Sequence, residues 1–227
     1  MCFSAGASFG AAAALAVIGI ISVRKIQEPK QLIFASIPLL FSIQQCAEGF
    51  VWLSLTNPAY AGFEKNATLI FLVFAQIVWP FQVPLALFLL EKPVGRKKIL
   101  LFLSCMGLAV ALFRIYWLSS YAAQATVIVH HISYSVEYIN VITNYGVVFY
   151  FFATVFPSFF SSIKGMWYMG FAVLSSFIFA LVFFPESLAS VWCFFAAIIS
   201  AAIFYIMREL QTTTSTKNEV LVPLNKF

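Results

Sequence analysis

Seven runs of predominantly apolar residues, each close to the ~20 residues that a helix needs to cross a bilayer, dictate what this chain can fold into. They extend roughly from Ser4 to Val23, Leu32 to Leu55, Ala67 to Leu90, Ile99 to Leu118, Ile132 to Phe156, Met166 to Phe184 and Leu188 to Met207. Of the 227 residues, 63% are hydrophobic and 9% charged, with a mean hydropathy of +0.97. Soluble domains are about 45–50% apolar and about 25% charged, so a water-soluble fold is excluded. A transmembrane barrel needs alternating segments of about 10 residues, and these runs are too long and too uniformly apolar for that. The sequence therefore predicts an all-α polytopic membrane protein: a seven-transmembrane-helix domain over residues 1–210, then a polar, flexible tail over 211–227.

The net charge of +5 is distributed in a way that fits a membrane and not a nucleic acid. Arg24, Lys25 and Lys30 sit in the first connection, Lys92, Arg96, Lys97 and Lys98 in the third, Lys164 in the fifth, and Arg208, Lys217 and Lys226 in the tail. The second, fourth and sixth connections carry only Lys65. By the positive-inside rule the amino terminus is expected outside and the carboxyl tail in the cytoplasm. The start MCFSAGASFG lacks the charged n-region of a secretory signal, so the first run reads as a retained helix. Cys2, Cys46, Cys105 and Cys193 are widely spaced and form no CxxC or zinc-like pattern.

Within this apolar background the segment SIQQCAEGF is the exception, placing Gln44, Gln45 and Glu48 inside the second run. On a helix running outward, Glu48 lies roughly 10 Å from the outer end at about 1.5 Å per residue. Gln76 reaches a comparable depth on the third run, Arg114 lies near the outer end of the fourth, and Glu137, Asn140 and Asn144 descend on the fifth. In the fourth connection, a short strand or re-entrant piece fits Ser119 to Val129. Further on, His130, Ser133, Glu137, Asn140 and Asn144 recur at steps of three and four, which predicts a polar stripe on an elongated fifth helix.

Ionisable groups at membrane depth face the bundle, water or an opposite charge. Pairing of Glu48 with Arg114 is the simplest arrangement, with Gln45 and Gln76 as amide donors. Two readings stay open. The layer is either a closed network holding helices together or a cavity open to the outside that binds a small polar ligand through Gln44, Gln45, Glu48, Gln76, Trp79, Arg114, Glu137, Asn140 and Asn144. The segment WPFQVP, from Trp79 to Pro84, predicts a bend beneath this layer, because proline removes a helical donor.

Cofactor chemistry has little support. His130 and His131 are weak zinc candidates, since adjacent histidines rarely face one ion and no HExxH is present. No phosphate-binding glycine loop and no G-x-S-x-G elbow occurs. The layout is similar to that of microbial rhodopsins, but the last run contains no Lys for a retinal Schiff base.

The opening Met1-Cys2-Phe3-Ser4-Ala5, with Gln44-Gln45 and Glu48-Gly49 before Trp52, resembles an uncharacterised family of small bacterial multi-spanning membrane proteins that begin MCFSA. That resemblance implies a bacterial inner-membrane setting and brings no activity with it. Four functions fit the residues: a receptor or sensor with a cytoplasmic partner, a small-solute transporter, a membrane enzyme using Glu48 or Glu137 with Arg114 stabilising charge, and a structural subunit. Membrane lipids and a second copy of the chain are the further partners expected.

Overall fold

The computed structural model describes residues 4–128, 130–136 and 140–221, with 140–145 and 213–221 described as backbone only. It is an all-α bundle of seven passes. Among the described residues, Ala5–Arg24, Pro29–Thr56, Pro58–Leu90, Val94–Ser120, Met166–Phe183 and Pro185–Thr212 are long and apolar enough to cross a membrane, and the shorter apolar stretch Gly146–Phe160 makes a seventh pass. Large apolar side chains face outward along these passes, Phe102 at 69% and Val182 at 64% exposure among them. Only a lipid environment makes that much apolar exposure favourable.

The first pass is α1 (Ala5–Arg24), started by Ser4, whose side chain accepts the Ala7 N–H at 3.2 Å. Prolines near the start of several later segments, Pro29, Pro38, Pro58, Pro93, Pro157 and Pro185, mark where the chain re-enters helix. The second pass consists of α2 (Leu32–Ala35) and α3 (Ile37–Thr56), divided just before Pro38. The third pass carries the most backbone distortion. After α4 (Glu64–Leu72) comes a π-helical turn, Val73–Val78, and then α5 (Trp79–Leu90) with Pro80 in its first turn. Pro80 has no N–H to donate backward, which leaves carbonyls in the preceding turn open to other donors. The Tyr150 hydroxyl donates to one of them, the Ala75 carbonyl, at 2.6 Å.

Two glycines permit the closest backbone approaches. A Cβ on Gly107 would come within 1.8 Å of the Pro80 carbonyl oxygen, and one on Gly19 within 2.7 Å of the Leu39 backbone nitrogen. Small residues at such crossings replace the hydrophobic drive that is missing between helices in lipid. The first crossing locks α6 (Val94–Ser120) against the distorted third pass.

The fourth connection contains the short strand expected in its first half and departs from the helix expected in its second. Residues Ala123–Ile128 form β1 and His131–Val136 form β2, an antiparallel hairpin in which Ala125 pairs with Tyr134 and Val127 with Ile132. The fifth helix therefore does not begin at Ile132; α7 covers Asn140–Val155. The proposed stripe from His130 through Ser133 is not helical, because His131, Ser133 and Ser135 alternate with Ile132, Tyr134 and Val136 at the period of a strand. The hairpin packs onto one end of the bundle. Ala125 and Ile132 are buried with Val51, Trp52 and Ala67, Tyr134 stacks on Phe71 at 4.3 Å, and Ser133 donates to the Glu186 carbonyl at 2.7 Å.

Helix α8 (Pro157–Phe160) ends the fifth pass, α9 (Met166–Phe183) forms the sixth, and α10 (Leu188–Ser200) with α11 (Ala202–Leu221) forms the last. The backbone is helical to Leu221. The end opposite the hairpin gathers the basic connections. There Lys25 donates to Gln211, and the Arg96 guanidinium donates to the Ser161 carbonyl at 2.9 Å. Glu91 accepts from both the hydroxyl and the N–H of Ser162. Burial works to raise the Glu91 pKa, but the bonds from Ser162, Ser161 and the Lys92 N–H outweigh it and hold the carboxyl below its usual range.

Candidate functional site

Gln44, Gln45 and Glu48 occupy successive positions on the inward side of α3, all at 0% exposure. Spacings of three and four place them on neighbouring stripes of one helix, which the surrounding passes cover completely. The Gln44 carbonyl accepts from the Trp79 indole N–H at 2.7 Å, and the Trp79 ring stacks on Phe41 at 3.9 Å with an 18° tilt. Glu48 accepts the hydroxyl proton of Ser190 from α10. Cys193, one turn further along α10, lies beside Gln44 and Glu48, and Tyr150 of α7 lies within electrostatic reach of Cys193 and Arg114. Four passes thus meet at this layer.

The ion pair expected between Glu48 and Arg114 does not form. Among the described residues the ion pairs are Lys30 with Glu28 and Lys164 with Glu209. Arg114 is buried with its guanidinium turned toward α7, 3.4 Å from where a Cβ on Gly146 would sit, whereas Glu48 faces α10. Gln76 lies half-buried in the π turn. Glu137 and the side chains of Asn140 and Asn144 lie outside the described residues. His130 is exposed in the hairpin turn, and His131 meets the Phe184 ring edge-on at 4.6 Å. Burial, the largest cause, pushes the His131 pKa down, and the neighbouring His130 acts in the same direction.

The layer contains more hydrogen-bonding capacity than it uses internally. Among the described residues, the Gln44 amide nitrogen, both amide atoms of Gln45 and the second Glu48 carboxylate oxygen are buried without a hydrogen bond of ordinary geometry, although Gln45 adjoins Glu48 and Gln44 adjoins Cys193. Each such group costs about 1–3 kcal/mol if it stays unsatisfied, and native proteins concentrate such exceptions where water, an ion or a ligand is held.

On the other side of the Trp79–Gln44 pair from the hairpin, the bundle holds a partly open cavity of about 70 Å³. Phe34, Phe41, Leu87, Trp192 and Ile203 give it apolar walls, and Trp79, Tyr150 and Cys193 connect it to the polar layer. Among the described residues, none of the hairpin lines it. A water needs roughly 10–15 Å³ measured in this way, and the volume therefore suits a few waters or the end of a slender molecule. Sequence reasoning missed Ser190, Cys193, Tyr150 and Phe41. Nothing marks Ser190 and Cys193 within the run SLASVWCFF beyond being small residues among large ones.

The sequence model of a family of unknown function (DUF6629) matches residues 1–218. No curated protein and no solved structure matches the chain.

Proposed function

The chain belongs to that family of unknown function, and we propose that it is a multi-pass membrane protein that binds a slender amphipathic ligand inside the bundle, as a receptor or sensor. The observation carrying this reading is an apolar cavity that ends at a buried layer with unused amide and carboxylate capacity. An apolar body in the cavity would exploit its walls, while one polar end group would reach the layer through Trp79, Tyr150 or Cys193. Apolar pockets with a few convergent polar groups are the usual form of small-molecule sites. The volume, under half of the about 150 Å³ that accepts benzene, admits one end of a linear ligand and not a whole ring.

The test is a thermal shift on protein in nanodiscs with 1-octanol as the probe, comparing the native chain with Ala196→Phe. Ala196 lines the cavity, so the added ring fills it. Octanol is expected to raise the native melting temperature and to leave Ala196→Phe unchanged. Equal responses in both proteins would refute binding in the cavity.

A transporter is the second reading, favoured by the π turn and Pro80 where the third pass borders the cavity. Discontinuous helices beside a central site are the hallmark of secondary transporters.

A further inference from the structure

Beside the central cavity, on the outer surface of the bundle near its basic end, a second hollow of about 410 Å³ runs between α9 and the α10–α11 pass. Its floor and rim are apolar or aromatic: Ala172, Ile198, Ala202 and Ile206, with Tyr168 at 65% and Tyr205 at 61% exposure. Met169 and Ile199 line both this groove and the central cavity. Two side chains are therefore all that the two spaces have in common as a wall. The volume falls within the range of small-molecule sites, about 300–1,000 Å³, and greatly exceeds that of the cavity behind it.

The charges at the groove identify an occupant. Lys164 adjoins Gly165 at the start of α9, with its side chain 92% exposed, and Arg208 is exposed one turn beyond Tyr205. Glu209 lies 4.0 Å from Lys164 and offsets one of these two positive charges, which leaves the rim net positive. Tyrosines at headgroup depth beside an apolar slot, with basic side chains at its end, are what an anionic lipid recognises. An open surface slot in lipid is also filled by chains from the bilayer and not by water.

We infer that the groove seats one acyl chain of an anionic phospholipid, and that the chain end passes between Met169 and Ile199 into the central cavity. The ligand class of the site is then a lipid chain, and loading is sideways from the bilayer. This inference rests on the cavity-binding reading above for the site alone: the methyl end of the chain meets the apolar walls, and the spare bonds of the polar layer fall to water. It also explains why a cavity this small can serve a larger ligand, because only the tip needs to enter.

The experiment uses the full chain in phosphatidylcholine nanodiscs containing a small fraction of phosphatidylglycerol that carries a diazirine on one acyl chain, either near its carbonyl, to report the groove, or at its end, to report the cavity. After photolysis, adducts are mapped by mass spectrometry. Adducts are expected at Tyr168 and Tyr205 in the groove and at Val83 and Thr154 in the cavity, well above those at the lipid-facing Phe102. Replacing Lys164→Gln and Arg208→Gln together should lower groove adducts by about thirtyfold, the order expected for losing two basic side chains at an anionic surface. Ala196→Phe, which fills only the cavity, should abolish the cavity adducts while sparing those in the groove. Groove labelling no stronger than at Phe102 would overturn the site. Equal labelling by a diazirine phosphatidylcholine would overturn the anionic preference, and groove adducts without cavity adducts would overturn the passage. The octanol response blocked by Ala196→Phe is read independently, so failure of the lipid route and failure of cavity binding are distinguishable.

Discussion

Glu48 takes a serine as its hydrogen-bond donor, and this choice determines how the buried layer responds to substitution. Removing the Ser190 hydroxyl leaves the carboxyl without its bond from α10, so Ser190→Ala is expected to cost about 1–3 kcal/mol. Because Arg114 faces α7 instead, a double-mutant cycle of Glu48→Gln with Arg114→Met should show coupling below about 0.5 kcal/mol, while Glu48→Gln with Ser190→Ala should couple more strongly. Denaturation of the variants in matched detergent measures both cycles, and strong Glu48–Arg114 coupling would contradict the geometry. Gln44, Gln45 and Glu48 were legible in the sequence because three strongly polar residues in an apolar run have nowhere inexpensive to go except the interior. Ser190 was not legible. Serines recur throughout these helices, and most bond to their own backbone, as Ser22 does to Ile18, Ser104 to Leu100 and Ser200 to Ala197. Which serine turns across the bundle depends on packing that a single sequence does not reveal.

Among the elements, the hairpin shows how two periodicities compete. The seven passes were legible because twenty-residue apolar runs admit one structure in lipid. The segment HISYSV satisfied a helical stripe through residues several turns apart, but its immediate neighbours alternate, and local alternation with β-branched and aromatic residues won. The hairpin also carries a pH dependence whose sign follows from His131. Its folded pKa lies below the ordinary value of 6.5, so the folded hairpin binds protons less readily than the unfolded one. Stability from this group is present above about 6.5 and declines as pH falls toward the folded pKa. Amide exchange in Ala123–Ile128 and His131–Val136, corrected for the intrinsic pH effect, should therefore accelerate between pH 7.5 and 5.5. His131→Gln should flatten that response, and an unchanged slope in the variant would show that another group titrates.

For the whole molecule, the basic connections share one end and the hairpin closes the other. We propose that the basic end faces the cytoplasm, by the positive-inside rule. Cysteines substituted at Lys65 and Arg96 in a cysteine-free chain should be labelled from outside and only after permeabilisation, respectively; the reverse pattern would invert the orientation. The central claim concerns the interior, where an apolar cavity meets a polar layer that has bonds to spare. The most direct measurement is an anomalous difference map from crystals of the protein grown with 8-bromo-1-octanol. The bromine peak is predicted among Leu87, Met169 and Ile203, with density for the hydroxyl within hydrogen-bonding distance of the Trp79, Tyr150 and Cys193 end of the cavity. A cavity without bromine density, in crystals that bind the probe only on lipid-facing surface, would contradict it.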